Sequence, residues 1–208
     1  MRCVCAPYSL SSIALFSAVF VSPLLLALAA VMLMLGLHYS AGAKPAKRHG
    51  ARALLVASAG VYVTYIAGAA AYAGVITTDV LVFALVMSLW TLAVGSTKGF
   101  GEMEGDAACG RRTLPIVFGL RAAVRLSAAV ALLVAFIGAI AALTTQSVWP
   151  LALLLPAAAI LCVQLGVVTA SAGRLELRRP YRAFMVSQFA VNGLAAASFA
   201  RGAVRSAL

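Results

Sequence analysis

The sequence predicts an all-α, polytopic membrane helix bundle of about six transmembrane helices, and three observations predict it. Of 208 residues, 64% are hydrophobic and only 10% charged, and the mean hydropathy is +1.06. That is far more apolar surface than one soluble core can hide. The apolar residues fall in runs able to cross about 30 Å of hydrocarbon at roughly 1.5 Å per residue. The basic residues fall between runs, in every second connection. Residues 1–208 read as a single transmembrane domain.

Residues 10–37 are apolar throughout, interrupted by Ser22-Pro23, and form either one kinked helix or two closely spaced pieces. The connection 38–52 contains Lys44, Lys47, Arg48 and Arg52 with Gly42 and Pro45, a polar, turn-rich composition. A second span follows at 53–74. After the turn Thr77-Thr78-Asp79, a third runs over 80–96 and leads into an acidic segment. The fourth covers 122–143, with Arg121 and Arg125 at its start, where long stems reach the headgroups. Trp149 opens the fifth, 149–172, at the depth favoured by interfacial aromatics. The sixth spans 183–200. Small residues along these spans (Ser58, Gly60, Gly68, Ala71, Gly138, Gly166 and Ala170) suit close helix packing.

Lys and Arg outnumber Asp and Glu by 16 to 5. In a soluble protein such an excess suggests nucleic acid. Here 13 of the 16 cations lie in segments 38–52, 98–125 and 173–182, while 75–79 and 144–148 have none. This pattern predicts orientation and headgroup contact rather than nucleic-acid binding, with the three basic segments facing the cytoplasm. Cys3, Cys5, Cys109 and Cys162 lack the spacing and accompanying histidines of a zinc site or disulfide framework, and read as free thiols. The apolar run reaching Leu37 exceeds a typical signal-peptide core, so the N-terminus is expected to stay attached. Gly99, Gly101 and Gly105 have the wrong spacing for a dinucleotide loop.

Residues 98–119, KGFGEMEGDAACGRRTLPIVFG, hold three of the five acidic residues. Written as a helix, Lys98, Glu102 and Asp106 share one stripe, so two carboxylates aim at one point. Such a pair suits Mg²⁺, which takes one or two protein oxygens and completes its octahedron with water and substrate phosphate. Arg111 and Arg112 follow closely enough to hold further phosphate charge. From charge pattern alone, a solvated loop is the commoner outcome. Glu104 lies off the 102/106 face, and Thr113, Leu114 and Pro115 read as the cap of a following helix.

The residue order E-x-E-G-D-x-x-x-G-R-R-T-L-P-x-x-x-G, from Glu102 to Gly119, closely resembles the second acidic motif of the UbiA-type intramembrane prenyltransferases. That superfamily includes 4-hydroxybenzoate polyprenyltransferase. Tyr39-Ser40, followed by Lys44, Lys47 and Arg48, is similar to its cytoplasmic loop that begins Tyr-Ser and runs to a Lys-Arg pair. The resemblance implies transfer of an isoprenyl group from a prenyl diphosphate to an aromatic or other lipophilic acceptor. It implies Mg²⁺ on Glu102 and Asp106, diphosphate contacts from Lys98, Arg111, Arg112, Lys47 and Arg48, and Tyr39 near the reacting carbon. It implies a multi-pass protein of the cell membrane.

The chain departs from the family pattern K-D-x-x-D-x-x-x-D, with glycine at the first acid and glutamate at the second. No Asp or Glu precedes Asp79, so the family's first acidic motif, N-D-x-x-D-x-x-x-D, is lacking, and six spans against nine correspond to its C-terminal two-thirds. A non-catalytic membrane protein that binds prenyl diphosphate or a partner subunit is therefore the alternative. A transporter is disfavoured, because apart from Asp79 no acid lies near the spans.

Overall fold

The path of the chain, a computed structural model, is described for residues 20, 22–41, 45–170 and 174–206. Arg2, Cys3, Cys5, the stretch 7–10 and Lys44 lie outside them. Among the described residues the structure is helical, with six helices long and apolar enough to cross a membrane.

Helix α1, Pro23–Ser40, begins at the predicted interruption. Pro23 sits in the first turn, where its missing N–H costs nothing, and the Ser22 hydroxyl accepts the Leu25 N–H at 3.1 Å. Ser22-Pro23 thus marks a helix start. Tyr39 and Ser40, expected in the following loop, belong to the last turn of α1.

Helices α2, Gly50–Ala73, and α3, Thr78–Val94, form a hairpin. Gly74 ends α2 at φ +67°, the left-handed geometry that glycine adopts without a Cβ clash, and the Thr77 hydroxyl caps α3. Midway along the pair, Ser58 and Ser88 exchange hydrogen bonds: each hydroxyl donates to the other's carbonyl, at 2.7 and 2.9 Å. In hydrocarbon these donors would otherwise stay unsatisfied.

Beyond α3 the chain winds more tightly. Residues Gly95–Glu102 form a 3₁₀-helix, followed by the short α4, Met103–Ala108. The single α-helical stripe through 98, 102 and 106 is therefore not formed. Three residues per turn replace 3.6, in a segment where Gly95, Gly99 and Gly101 weaken the preference for α-helix. Helix α5, Leu114–Phe118, leads through Gly119 (φ +79°) into α6, Leu120–Thr144. The fifth span opens as a second 3₁₀ stretch, Gln146–Leu153, containing Pro150, and continues as α7, Leu154–Ala170. The short α8, Arg174–Leu177, precedes α9, Arg179–Ser206, which starts earlier and ends later than predicted.

The core gathers around α3. Met87, Trp90 and Val94 meet Val134 and Ala135 of α6, Leu154 and Leu161 of α7, and Val191 of α9, all buried. Of the small residues expected at helix contacts, Ser58 and Gly138 serve that purpose. A Cβ on Gly138 would lie 3.1 Å from Leu154 Cδ1 and 3.2 Å from the Leu151 carbonyl. The same atom on Gly60, Gly68 or Gly166 would meet nothing within 4 Å. A side chain at any of the three would point into open space.

Candidate functional site

The three basic segments converge at one end of the bundle. The connection between α1 and α2 is fastened by its backbone to the segment after α4: the Arg112 N–H donates to the Arg48 carbonyl at 2.9 Å and the Gly50 N–H to the Arg112 carbonyl at 2.8 Å. Gly50 permits this approach, since a Cβ there would stand 2.9 Å from the Leu114 nitrogen and the Thr113 Cα. From the third segment, Arg178 lies over Gly101, its Cγ 2.9 Å from where a Cβ would project.

Between them opens a cavity of about 310 Å³. Six of the eight residues singled out in the sequence line it: Tyr39, Lys47, Lys98, Glu102, Asp106 and Arg111. Arg48 and Arg112 do not. Their side chains are exposed, and it is their main chains that join the two loops.

The carboxylates differ in setting. Asp106 is 7% exposed, held in α4 with its Oδ1 2.8 Å from Arg111 Nη1. The Arg111 N–H also donates to the Asp106 carbonyl at 2.9 Å, so side chain and backbone close one ring. Arg111 was expected to wait for a phosphate; it already holds a carboxylate, through a spacing of five that the i,i+4 pattern does not anticipate. Glu102 is exposed at the cavity wall. Glu104 turns away from this cavity and lines a neighbouring one of about 600 Å³, which shares Glu102, Asp106 and Arg111 and also touches Cys109. Cys109 and Cys162 are free thiols, as expected.

Sequence reasoning missed part of the wall. Tyr181 and Phe184 of α9 face the cavity, their rings 6.0 Å apart. Thr91, Ser96 and Thr113 contribute hydroxyl-bearing side chains. Thr113 precedes α5 but does not cap it: its Oγ1 is buried and has no hydrogen-bond partner among the described residues. The tyrosine beside Arg178, Arg179 and Arg182 was the available signal, a polar-tipped aromatic among cations near a predicted span start.

Two carboxylates on one wall fit a hard cation that needs few protein oxygens, because Arg111 engages only one Asp106 oxygen. They do not fit an all-protein cage, for no group of three His, Cys, Asp or Glu side chains comes together among the described residues.

The sequence itself matches the family model of the UbiA prenyltransferase family over residues 5–187, most of the chain. The chain belongs to the UbiA prenyltransferase family. Membership implies membrane prenyltransferase chemistry in general, with a Mg²⁺-bound prenyl diphosphate and a lipophilic acceptor as the family's usual substrates. The six apolar helices agree with a multi-pass UbiA protein. Comparison with curated proteins and with solved structures gives no match.

Proposed function

We propose that this UbiA protein transfers an isoprenyl group from a prenyl diphosphate to an aromatic or other lipophilic acceptor, at the acid-lined cavity. One observation supports this reading above all. Acids, cations and a tyrosine from segments about 50 residues or more apart in sequence line a single 310 Å³ space at the end of an apolar bundle.

Glu102 and Asp106 would hold Mg²⁺, which when bound neutralises the charge that grows on the departing diphosphate. Lys47 and Lys98 present cations to the phosphate oxygens, and Arg111 combines that role with orienting Asp106. The shielded Thr113 hydroxyl offers a donor to whatever polar group fills the cavity. Tyr39, Tyr181 and Phe184 face the space where the allylic carbon would lose its leaving group; their π faces stabilise positive charge there and limit access of water. The isoprenoid tail would take up apolar space toward the opposite end. A 500 Å³ cavity is lined there by Tyr65, Gly68 and Tyr72 of α2, Phe83 of α3 and Phe199 of α9. The basic segments would put the acid-lined end at the cytoplasm, where Mg²⁺ and released diphosphate dissolve, and the membrane would be the cell membrane.

Membranes containing the protein, given Mg²⁺, a prenyl diphosphate and aromatic acceptors, are expected to form prenylated product. Asp106→Asn should lower that rate about 10²- to 10³-fold, as for loss of one electrostatic partner of a developing charge. An unchanged rate would rule out this mechanism. A second reading, diphosphate binding without turnover, is favoured by the small donor set, since among the described residues two carboxylates reach the cavity and one is engaged by Arg111. Mg²⁺-dependent retention of a prenyl diphosphate with no product under any acceptor would select it.

A further inference from the structure

A groove of about 590 Å³ lies on another face of the bundle, between the fifth and sixth spans. Leu153, Pro156 and Ile160 form one apolar wall and Val186 and Ala190 of α9 the other. At the end shared with the acidic segment, Arg179 and Arg182 close it. Arg179 is steadied by Glu176 at 2.8 Å and keeps half its side chain exposed; Arg182 is exposed. At the same end, Gln164 of α7 carries an amide oxygen that is buried and has no hydrogen-bond partner among the described residues.

We infer that this groove binds an anionic phospholipid, with one acyl chain along the apolar walls and the phosphate on Arg179 and Arg182. Three properties coincide. The walls are hydrocarbon over about 10 Å along the helices beyond the arginines, a length that takes the upper part of an acyl chain. The cations stand where the bundle leaves the membrane, the level of lipid phosphates; basic pockets between helices at that level select anionic headgroups. The shielded Gln164 oxygen requires a hydrogen-bond donor that a bare hydrocarbon lacks, and a headgroup hydroxyl or a water carried in with the lipid supplies one. None of these residues lines the acid-lined cavity, so the inference stands independently of the prenyl-transfer reading.

Native mass spectrometry of the full chain, released from detergent with phosphatidylglycerol or phosphatidylcholine added, tests it. Phosphatidylglycerol should be retained at least tenfold more than phosphatidylcholine, given a factor of about five per arginine and the partial neutralisation of Arg179 by Glu176. Arg179→Gln with Arg182→Gln should remove the preference, while Arg121→Gln with Arg125→Gln should keep it. Ala190→Trp, at an exposed position on the groove wall, should weaken retention without touching a charge. Equal retention of the two lipids would overturn the inference, as would a preference that survives the Arg179 and Arg182 changes. Complete competition by soluble glycerol phosphate, which has no chain, would overturn the groove assignment, and so would a second copy of the protein found seated there.

Discussion

Helices α1 and α3 both bring residues to the acid-lined cavity, and they are secured in opposite ways. Eight of the 17 residues of α3 are buried within the protein, whereas none of α1 is. Trp90 and Met87 of α3 are wholly covered, while Leu24, Val31, Met34 and Leu37 of α1 face outward. Both helices are apolar, so hydropathy does not distinguish them. The difference lies in what covers the side chains: other helices cover those of α3, while those of α1 are left exposed along the bundle. In lipid, contact with a tail is about as favourable as contact with a leucine, so fit rather than burial fixes a helix in place. The acidic segment therefore extends from a rigidly packed rod, and Tyr39 stands on a helix held chiefly by α2.

If fit against α3 governs stability, crowding it should cost the most. Gly138→Val inserts atoms where a Cβ already approaches Val86 Cγ1 at 3.3 Å and a carbonyl at 3.2 Å. The expected loss is about 1–3 kcal/mol, read as a lower midpoint of thermal unfolding in detergent. Ser88→Ala removes one half of the α2–α3 hydroxyl exchange and should cost about 0.6 kcal/mol, the usual worth of such bonds between membrane helices. Met34→Ala on α1, where the side chain is 67% exposed, should shift stability by less than about 0.5 kcal/mol. A Met34→Ala effect as large as that of Gly138→Val would erase the contrast and show α1 to be packed against protein.

The spans were legible because long apolar runs and clustered arginines follow directly from the bilayer's demands on composition. The start of α1 at Pro23 was legible in part, since proline and serine have defined places at a helix start. Packing roles were less so. Gly60 and Gly138 look alike in sequence, and only Leu151 and Leu154, folded back from the next span, make one of them a contact. At the site, the spacing of Glu102 and Asp106 indicated a shared wall, and both line one cavity, although by way of a 3₁₀ segment that the 3.6 period does not describe. Arg111 was read as a free cation because its bond to Asp106 depends on the turn after α4, not on helix periodicity. Tyr181 and Phe184 escaped notice because their approach is tertiary, made when α9 packs back against the acidic segment.

The tighter winding of Gly95–Glu102 also changes reach. Eight residues rising about 2.0 Å each advance roughly 4 Å farther than the same residues in an α-helix. Helix α3, 17 residues long, covers about 26 Å by itself, and this extension carries Glu102 farther beyond its end. Under the proposed function, a Mg²⁺ ion would meet the carboxylates with its inner waters still in place. It would not need to be stripped bare to be captured, and would leave with diphosphate on the same side.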